Sequence, residues 1–194
     1  MTPEKSIFKA YDIRGIVGKT LTPEVTYAVG LVLGSMARDA GIDSLCVGRD
    51  GRVSGPELSE SLMKGIAAAG TKVIDIGRVP TPVLYFAAHY FKNGSGVAVT
   101  GSHNPPEYTG LKMMLGGKTL FGEGIQDIYR AICENRYKPA ETPAAIERVS
   151  VIDAYVKKIT SDVKLARPMK VVFDCGNGVA VKRKPQFRVA LFDG

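Results

Sequence analysis

The stretch Gly96-Val97-Ala98-Val99-Thr100-Gly101-Ser102-His103-Asn104-Pro105-Pro106 begins as a short apolar run and ends abruptly in turn-forming residues. This pattern predicts a β-strand followed by a tight loop. Ser102 follows a glycine and precedes a rigid Asn-Pro-Pro segment, so we expect it on an exposed, constrained turn. The stretch alone fits a functional serine and an ordinary turn equally well.

Strand-like and helix-like segments alternate on both sides of this stretch. Thr22-Pro23-Glu24 predicts the start of a helix, because an N-cap residue is followed by proline at the first helical position. Further helices are predicted over residues 58–69, 82–91, 125–133 and 151–163, and further strands over residues 45–47, 73–76 and 111–115. The alternation predicts an α/β fold, with a layered, mixed and mostly parallel sheet and helices on both faces.

A change in composition suggests where the first domain ends. Residues 136–150 are rich in Pro, Ala and Glu, which predicts a linker. We therefore expect one domain over residues 1–150 and the incomplete start of a second, similar α/β domain over residues 151–194. In that second part, a strand over residues 170–174 is predicted to enter the turn Cys175-Gly176-Asn177-Gly178. The basic segment 182–188 carries no predicted role.

The charge and cysteine content narrow the class of protein. Twenty-six Lys and Arg against nineteen Asp and Glu give a net charge of +7. The basic residues form no stripe with interleaved aromatics, so no nucleic-acid partner is expected. Cys46, Cys133 and Cys175 are widely spaced, which predicts neither disulfides nor a zinc site and favours the cytoplasm. No apolar run approaches the length of a membrane span, so no membrane partner is expected.

Two further segments combine glycines with arginines and an aspartate. They are Phe8-Lys9-Ala10-Tyr11-Asp12-Ile13-Arg14-Gly15 and Gly48-Arg49-Asp50-Gly51-Arg52-Val53-Ser54-Gly55. In each segment an internal salt bridge is a simple alternative to ligand binding. For the second we favour the salt bridge, with Asp50 paired to Arg49 or Arg52, so that this loop supports the architecture of a site. In a parallel sheet the loops 48–55 and 100–106 would both lie beyond the carboxyl ends of strands.

Six segments, in this order along the chain, resemble one family of enzymes. They are Phe8–Gly15, Gly48–Gly55, Pro80-Thr81-Pro82, Thr100–Pro106, Gly110-Leu111-Lys112 and Asp174–Gly178. Together they resemble the α-D-phosphohexomutase family. The form Thr-Gly-Ser-His-Asn-Pro-Pro is similar to the bacterial phosphomannomutase/phosphoglucomutase branch of that family. The resemblance extends from residue 1 to about residue 180.

The resemblance implies an isomerase that moves phosphate between the 1- and 6-positions of mannose or glucose phosphates. The reaction would pass through a phosphoserine and a bisphosphorylated sugar, and Ser102 matches that serine. The implied cofactor is Mg²⁺, with the phosphate of Ser102 as one metal ligand. Lys112 matches a family lysine that would stabilise charge at the transferred phosphate or transfer a proton. His103 matches the residue next to the family's phosphoserine, which would act in orientation or in proton handling. Tyr11 and Arg14 match residues near the phosphoserine and the substrate.

The resemblance stops after Asn177-Gly178. The family's other metal ligands come from an Asp-Gly-Asp-Gly-Asp-Arg loop, which these 194 residues do not contain. We expect the chain to fold in its first domain, because residues 1–150 contain a complete alternation of strands and helices. Without the metal loop, we expect the chain to lack mutase activity alone. A non-catalytic phosphosugar-binding or interaction module stays open for the same reason. A serine phosphatase or esterase is disfavoured because Gly-x-Ser-x-Gly is absent and His89 lies on a predicted helix.

Overall fold

The computed structural model describes residues 1–167, which contain seven β-strands and five α-helices. In chain order they are β1 (Ile13–Ile16), α1 (Pro23–Asp39), β2 (Ser44–Arg49), α2 (Gly55–Ala68), β3 (Lys72–Arg78), α3 (Thr81–Tyr90), β4 (Gly96–Thr100), β5 (Tyr108–Leu115), β6 (Lys118–Thr119), α4 (Glu123–Cys133), β7 (Ile146–Arg148) and α5 (Ile152–Asp162). None of these five helices has the length and apolarity needed to cross a membrane. The predicted strand 170–174, the turn after it and the basic segment 182–188 lie outside the described residues.

The strands form one mixed sheet in the order β1-β5-β4-β2-β3-β7, and β6 pairs with the end of β5. Strands β4, β2, β3 and β7 run parallel to one another. Strand β5 runs antiparallel to β4 on one side and to β1 on the other. The predicted mixed, mostly parallel sheet is therefore confirmed. Because β2 and β4 are parallel neighbours, the loops that follow them leave the same edge of the sheet.

Alternate residues of the central strands enter two different cores, one on each face of the sheet. On β2, Leu45 and Val47 pack with residues of α1, α2 and α4, whereas Cys46 packs with residues of α3 and α5. Strand β4 repeats this alternation, with Ala98 in the second core. The period of two residues follows from the pleat of a β-strand. The prediction of helices on both faces is thus confirmed.

The buried Cys46 behaves as a packing residue. Its side chain is fully buried, and this burial raises the pKa of the thiol to about 11. The amide nitrogen of Asn93 donates a hydrogen bond to its sulfur at 3.6 Å. Within the described residues Cys46 and Cys133 are both free thiols.

Helix α1 begins where the sequence predicted. The hydroxyl of Thr22 accepts a hydrogen bond from the backbone N–H of Val25 at 3.4 Å, and Pro23 is the first helical residue. Such a cap satisfies one of the N–H groups that lack a partner inside the helix.

Three short strands were not predicted: the two-residue β6 and the edge strands β1 and β7. Strand β1 begins within the segment Phe8–Gly15, for which no strand was expected, and ends at Ile16; it pairs with β5. Strand β7 lies inside residues 136–150, so the prediction of a plain linker is wrong for residues 146–148. Both strands are too short to show a clear alternation of apolar and polar residues. Their backbone groups are paired only because the neighbouring strand offers an open edge.

Helices α1 and α2 approach each other closely at two glycines. A Cβ atom on Gly30 would overlap the backbone carbonyl oxygen of Leu62, and one on Gly65 would overlap that of Tyr27. The two helices therefore touch backbone to backbone, which larger residues would prevent. Since both helices belong to the first core, this contact determines how closely that core is packed.

We predict that Gly65→Ala lowers the free energy of unfolding by about 2 kcal/mol, because the added methyl group must push α2 away from α1. Urea denaturation of the 194-residue chain, followed by circular dichroism, measures the change. The matched control is Gly124→Ala on α4, where a Cβ would meet nothing closer than 3.6 Å. The control should be neutral or stabilising by up to about 1 kcal/mol. Equal stability of the two variants would contradict the proposed backbone contact.

Candidate active site

The loops after β2 and β4 are joined by the carboxylate of Asp50. Its Oδ2 accepts hydrogen bonds from the Thr100 hydroxyl at 2.9 Å and from the Gly101 N–H at 2.8 Å. Its Oδ1 accepts a hydrogen bond from the Arg52 N–H at 2.9 Å. An ion pair of 3.7 Å joins Asp50 Oδ2 to Arg52 Nε. The predicted salt bridge in this loop is therefore present, and Arg52 is the arginine involved.

Ser102 lies at the exposed turn directly after this contact. Its backbone has a φ of +52°, and its N–H donates a hydrogen bond to the Thr100 hydroxyl at 2.9 Å. Its own hydroxyl oxygen lies 3.1 Å from Nδ1 of His103. Both side chains are exposed. The structure thus places the predicted serine and histidine in hydrogen-bond contact, where a ligand can reach them.

Two cations share one buried carboxylate beside this loop. Arg14 on β1 pairs with Gly110, two residues before Lys112 on β5, so Arg14 and Lys112 lie on the same face of the sheet. Asp12 Oδ2 lies 2.6 Å from Arg14 Nη2 and 3.5 Å from Lys112 Nζ. The Asp12 side chain is only 8% exposed, whereas those of Arg14 and Lys112 are 31% and 34% exposed. Both cations can therefore contact a ligand at their exposed side while the buried carboxylate of Asp12 pairs with them.

Asn104 connects this pair of cations to the serine loop. Its Oδ1 accepts a hydrogen bond from Arg14 Nη1 at 3.1 Å, and its Nδ2 donates one to the Gly101 carbonyl oxygen at 2.9 Å. Arg14 is thus linked to the residue that precedes Ser102. The sequence motif included Asn104, but nothing in it indicated this role.

Two residues considered from the sequence lie apart from this network. Tyr11 directly precedes Asp12, but its side chain is 72% exposed and its hydroxyl has no hydrogen-bond partner among residues 1–167. His89 is exposed on α3 and forms no hydrogen bond with Ser102, whose hydroxyl lies beside His103 instead. Within the same residues, no carboxylate forms a hydrogen bond with His103. The described part of the chain therefore lacks the acid that would orient the histidine of a hydrolase triad.

The described residues do not form a metal site on their own. Residues 1–167 contain no group of three or more His, Cys, Asp or Glu side chains that could hold a metal ion. The two aspartates at the site, Asp12 and Asp50, are both engaged by cations. Since Mg²⁺ requires several oxygen ligands, this donor set does not fit a complete magnesium site.

Comparison with known proteins shows a consistent set of relatives. The family model described as phosphoglucomutase/phosphomannomutase, alpha/beta/alpha domain I, matches residues 5–138. A phosphomannomutase/phosphoglucomutase of Pseudomonas aeruginosa is 49% identical over 186 residues, which cover 96% of this chain and 40% of the relative. A phosphoglucomutase of Neisseria meningitidis serogroup B is 49% identical over 175 residues, which cover 90% and 38%.

A solved structure agrees with this result. The crystal structure of a phosphoglucomutase/phosphomannomutase family protein from Burkholderia thailandensis matches with a TM-score of 0.90 and 45% identity, over 98% of this chain and 43% of that one. The chain thus spans about 40% of the length of the curated relatives it matches. The range matched by the family model includes Ser102 and every contact made by Asp12, Asp50 and Asn104 described above. On this evidence the chain belongs to the phosphoglucomutase/phosphomannomutase family.

Proposed function

We propose that this chain is the phosphoserine-bearing part of a phosphomannomutase/phosphoglucomutase. The complete enzyme would be an isomerase that moves phosphate between the 1- and 6-positions of mannose or glucose phosphates. One observation carries the proposal: the exposed Ser102 hydroxyl lies on a fixed loop, in contact with His103 and linked through Asn104 to Arg14. The names of the relatives from Pseudomonas aeruginosa and Neisseria meningitidis support the substrate class.

Each phosphate transfer to or from Ser102 breaks one P–O bond and forms another. When phosphorylated Ser102 reacts with a sugar hydroxyl, the bond between Ser102 Oγ and phosphorus breaks, and a bond between phosphorus and the sugar oxygen forms. The proton of the sugar hydroxyl ends on Ser102 Oγ. His103 Nδ1, at 3.1 Å from that oxygen, is placed to hold the proton on its way. The other phosphate of the bisphosphorylated sugar later returns to Ser102 by the reverse step.

Charge compensation is the main task of the surrounding residues, because phosphoryl transfer requires positioning and neutralisation of the phosphate oxygens. A phosphate on Ser102 carries a charge of about −1.5 to −2. Arg14 offers a planar fork that matches two phosphate oxygens, and Lys112 offers a compact charge. The longer contact with Asp12, 3.5 Å against 2.6 Å, makes Lys112 the cation that is more easily released to the phosphate. We assign Tyr11, on the exposed loop before Asp12, to substrate binding.

We propose Mg²⁺ as the cofactor, with the phosphate of Ser102 as one ligand. The chemistry that Mg²⁺ supplies when bound is neutralisation of phosphate oxygens. Asp12 and Asp50 are engaged by cations, so its carboxylate ligands would come from outside residues 1–167. No step of the transfer is assigned to the metal.

We also propose a domain boundary near residue 150, with a first domain over residues 1–150 and the start of a second over residues 151–194. The family model for domain I ends at residue 138, before this boundary. Helix α5 nevertheless packs on α3, where Tyr155 contacts Phe86 edge to face. A cytoplasmic location is proposed because Cys46 and Cys133 are free thiols.

We predict that Ser102→Ala abolishes phosphate transfer. The test uses a chimera in which residues 1–167 replace the matching segment of the Pseudomonas aeruginosa relative, so that the rest of the enzyme is present. Conversion of glucose 1-phosphate, measured by a coupled assay for glucose 6-phosphate, should fall by several orders of magnitude because no oxygen remains to carry the phosphate.

The control for this variant is Ser161→Ala, since Ser161 is exposed on α5 and, among the described residues, its hydroxyl donates only to the end of its own helix. That variant should keep full activity. Activity of Ser102→Ala within about threefold of the unmodified chimera, which corresponds to about 0.7 kcal/mol, would rule out Ser102 as the carrier.

We predict that Lys112→Met in the same chimera lowers kcat by roughly 10²–10³, the effect expected from loss of one electrostatic donor at the transferred phosphate. Steady-state kinetics that separate kcat from KM make the measurement. Lys118→Met is the matched control, because Lys118 is exposed on β6 and the change in net charge is the same. If KM rises while kcat stays unchanged, Lys112 binds the substrate and has no part in the transfer step.

A further inference from the structure

Among the described residues, the loop between β4 and β5 makes only two backbone hydrogen bonds of its own, from the Asn104 N–H to the Gly101 carbonyl oxygen and from the Tyr108 N–H to the Pro105 carbonyl oxygen. Pro105 and Pro106 have no N–H group to donate, and the loop forms no ladder with a neighbouring strand. Ser102 adopts a φ of +52°, a region that is unfavourable for a residue with a Cβ atom. Such a conformation persists only when the surroundings hold it in place. Some other part of the molecule must therefore fix this loop.

The guanidinium of Arg52 lies inside the loop and donates hydrogen bonds to carbonyl oxygens along it. It donates hydrogen bonds to the backbone carbonyl oxygens of Pro105 at 2.6 Å, Tyr108 at 3.0 Å, Ser102 at 3.4 Å, and Asn104. On its other side, Nε pairs with Asp50 at 3.7 Å. Gly101 allows this approach, because a Cβ there would overlap the guanidinium.

These contacts leave Arg52 little capacity for a ligand. Both terminal nitrogens are occupied by carbonyl oxygens, and Nε faces the carboxylate of Asp50. The side chain is 18% exposed, compared with 31% for Arg14. Arg14, which uses one terminal nitrogen for Asp12 and the other for Asn104, remains the better-placed arginine for a phosphate.

We propose that Arg52 is the positioning residue of the Ser102 loop. Its planar guanidinium gathers four carbonyl oxygens around one charge and thereby holds Ser102 in its positive-φ conformation, with the hydroxyl beside His103. Asp50 fixes Arg52 in turn, through its backbone N–H and its side chain. The proposal rests on the proposed function only in that Ser102 is the phosphoryl carrier.

Hydrogen exchange in the 194-residue chain tests whether Arg52 holds the loop. Arg52→Lys keeps the charge but removes the fork, so the amides of residues 101–104, 107 and 108 should exchange at least about tenfold faster than in the wild type. Exchange in α4 should be unchanged. The matched control is Arg130→Lys, because within residues 1–167 Arg130 forms ion pairs only with Glu123 and Asp127, at the surface of α4. The control should leave the loop as it was.

Kinetics in the chimera distinguish positioning from general structural support. Arg52→Lys should lower kcat by about 10²-fold, because displacement of a nucleophile by about 1 Å has an effect of that size. KM should stay within about twofold, since Arg52 does not contact the substrate. The urea midpoint of the 194-residue variant should match that of the wild type. A rise in KM with kcat unchanged would overturn the proposal.

A measurement on the wild-type chain covers the case in which the variant fails to fold. In ¹⁵N NMR spectra, the Arg52 guanidinium should show separate Nη signals, because four carbonyl oxygens prevent its rotation. Arg148, whose side chain is 86% exposed, should show averaged signals. Averaged signals for Arg52, unchanged exchange in the loop, or equally faster exchange in α4 would each overturn the proposal. Activity retained by Ser102→Ala would refute the carrier role, while the exchange rates would still decide whether Arg52 holds the loop.

Discussion

The parallel pairing of β2 with β4 is the constraint on which the site depends. It brings the residues after both strands to one edge of the sheet, where a single carboxylate, Asp50, can accept hydrogen bonds from the loop that follows each strand. The antiparallel addition of β5 and β1 then places Lys112 and Arg14 next to that edge. No single segment of the chain contains the site, since its parts come from three loops and two strands.

The long elements could be predicted from local patterns, because their signals lie within a few residues of one another. The cap at Thr22, the apolar run of β4 and the helical spacing of α1 depend on neighbouring residues alone. Strands β1 and β7 could not be predicted in this way. Each forms only because a neighbouring strand offers an open edge, and that edge exists only after the sheet has assembled. Local composition pointed instead to a loop and to a linker.

The residues of the candidate site could be predicted from the sequence, but most of the contacts that connect them could not. The motif and the family resemblance identified Ser102, His103, Lys112 and Arg14, and the structure connects them by contacts between distant parts of the chain. The contacts of Asp12 show how far prediction from the sequence extends. Its pairing with Arg14 follows from their closeness in sequence, whereas its contact with Lys112 spans 100 residues and depends on the register between β1 and β5.

The hydrogen bonds that the Arg52 guanidinium makes with the loop between β4 and β5, and with the first residue of β5, involve only backbone carbonyl oxygens. Every residue has a backbone carbonyl oxygen, so this attachment depends on the course of the backbone and not on the identity of the side chains. The exposed side chains of Pro106 and Glu107 are consequently free to diverge among descendants of this gene. Substitutions at these positions can thus alter the exposed surface of the loop while the backbone of Ser102 keeps its position.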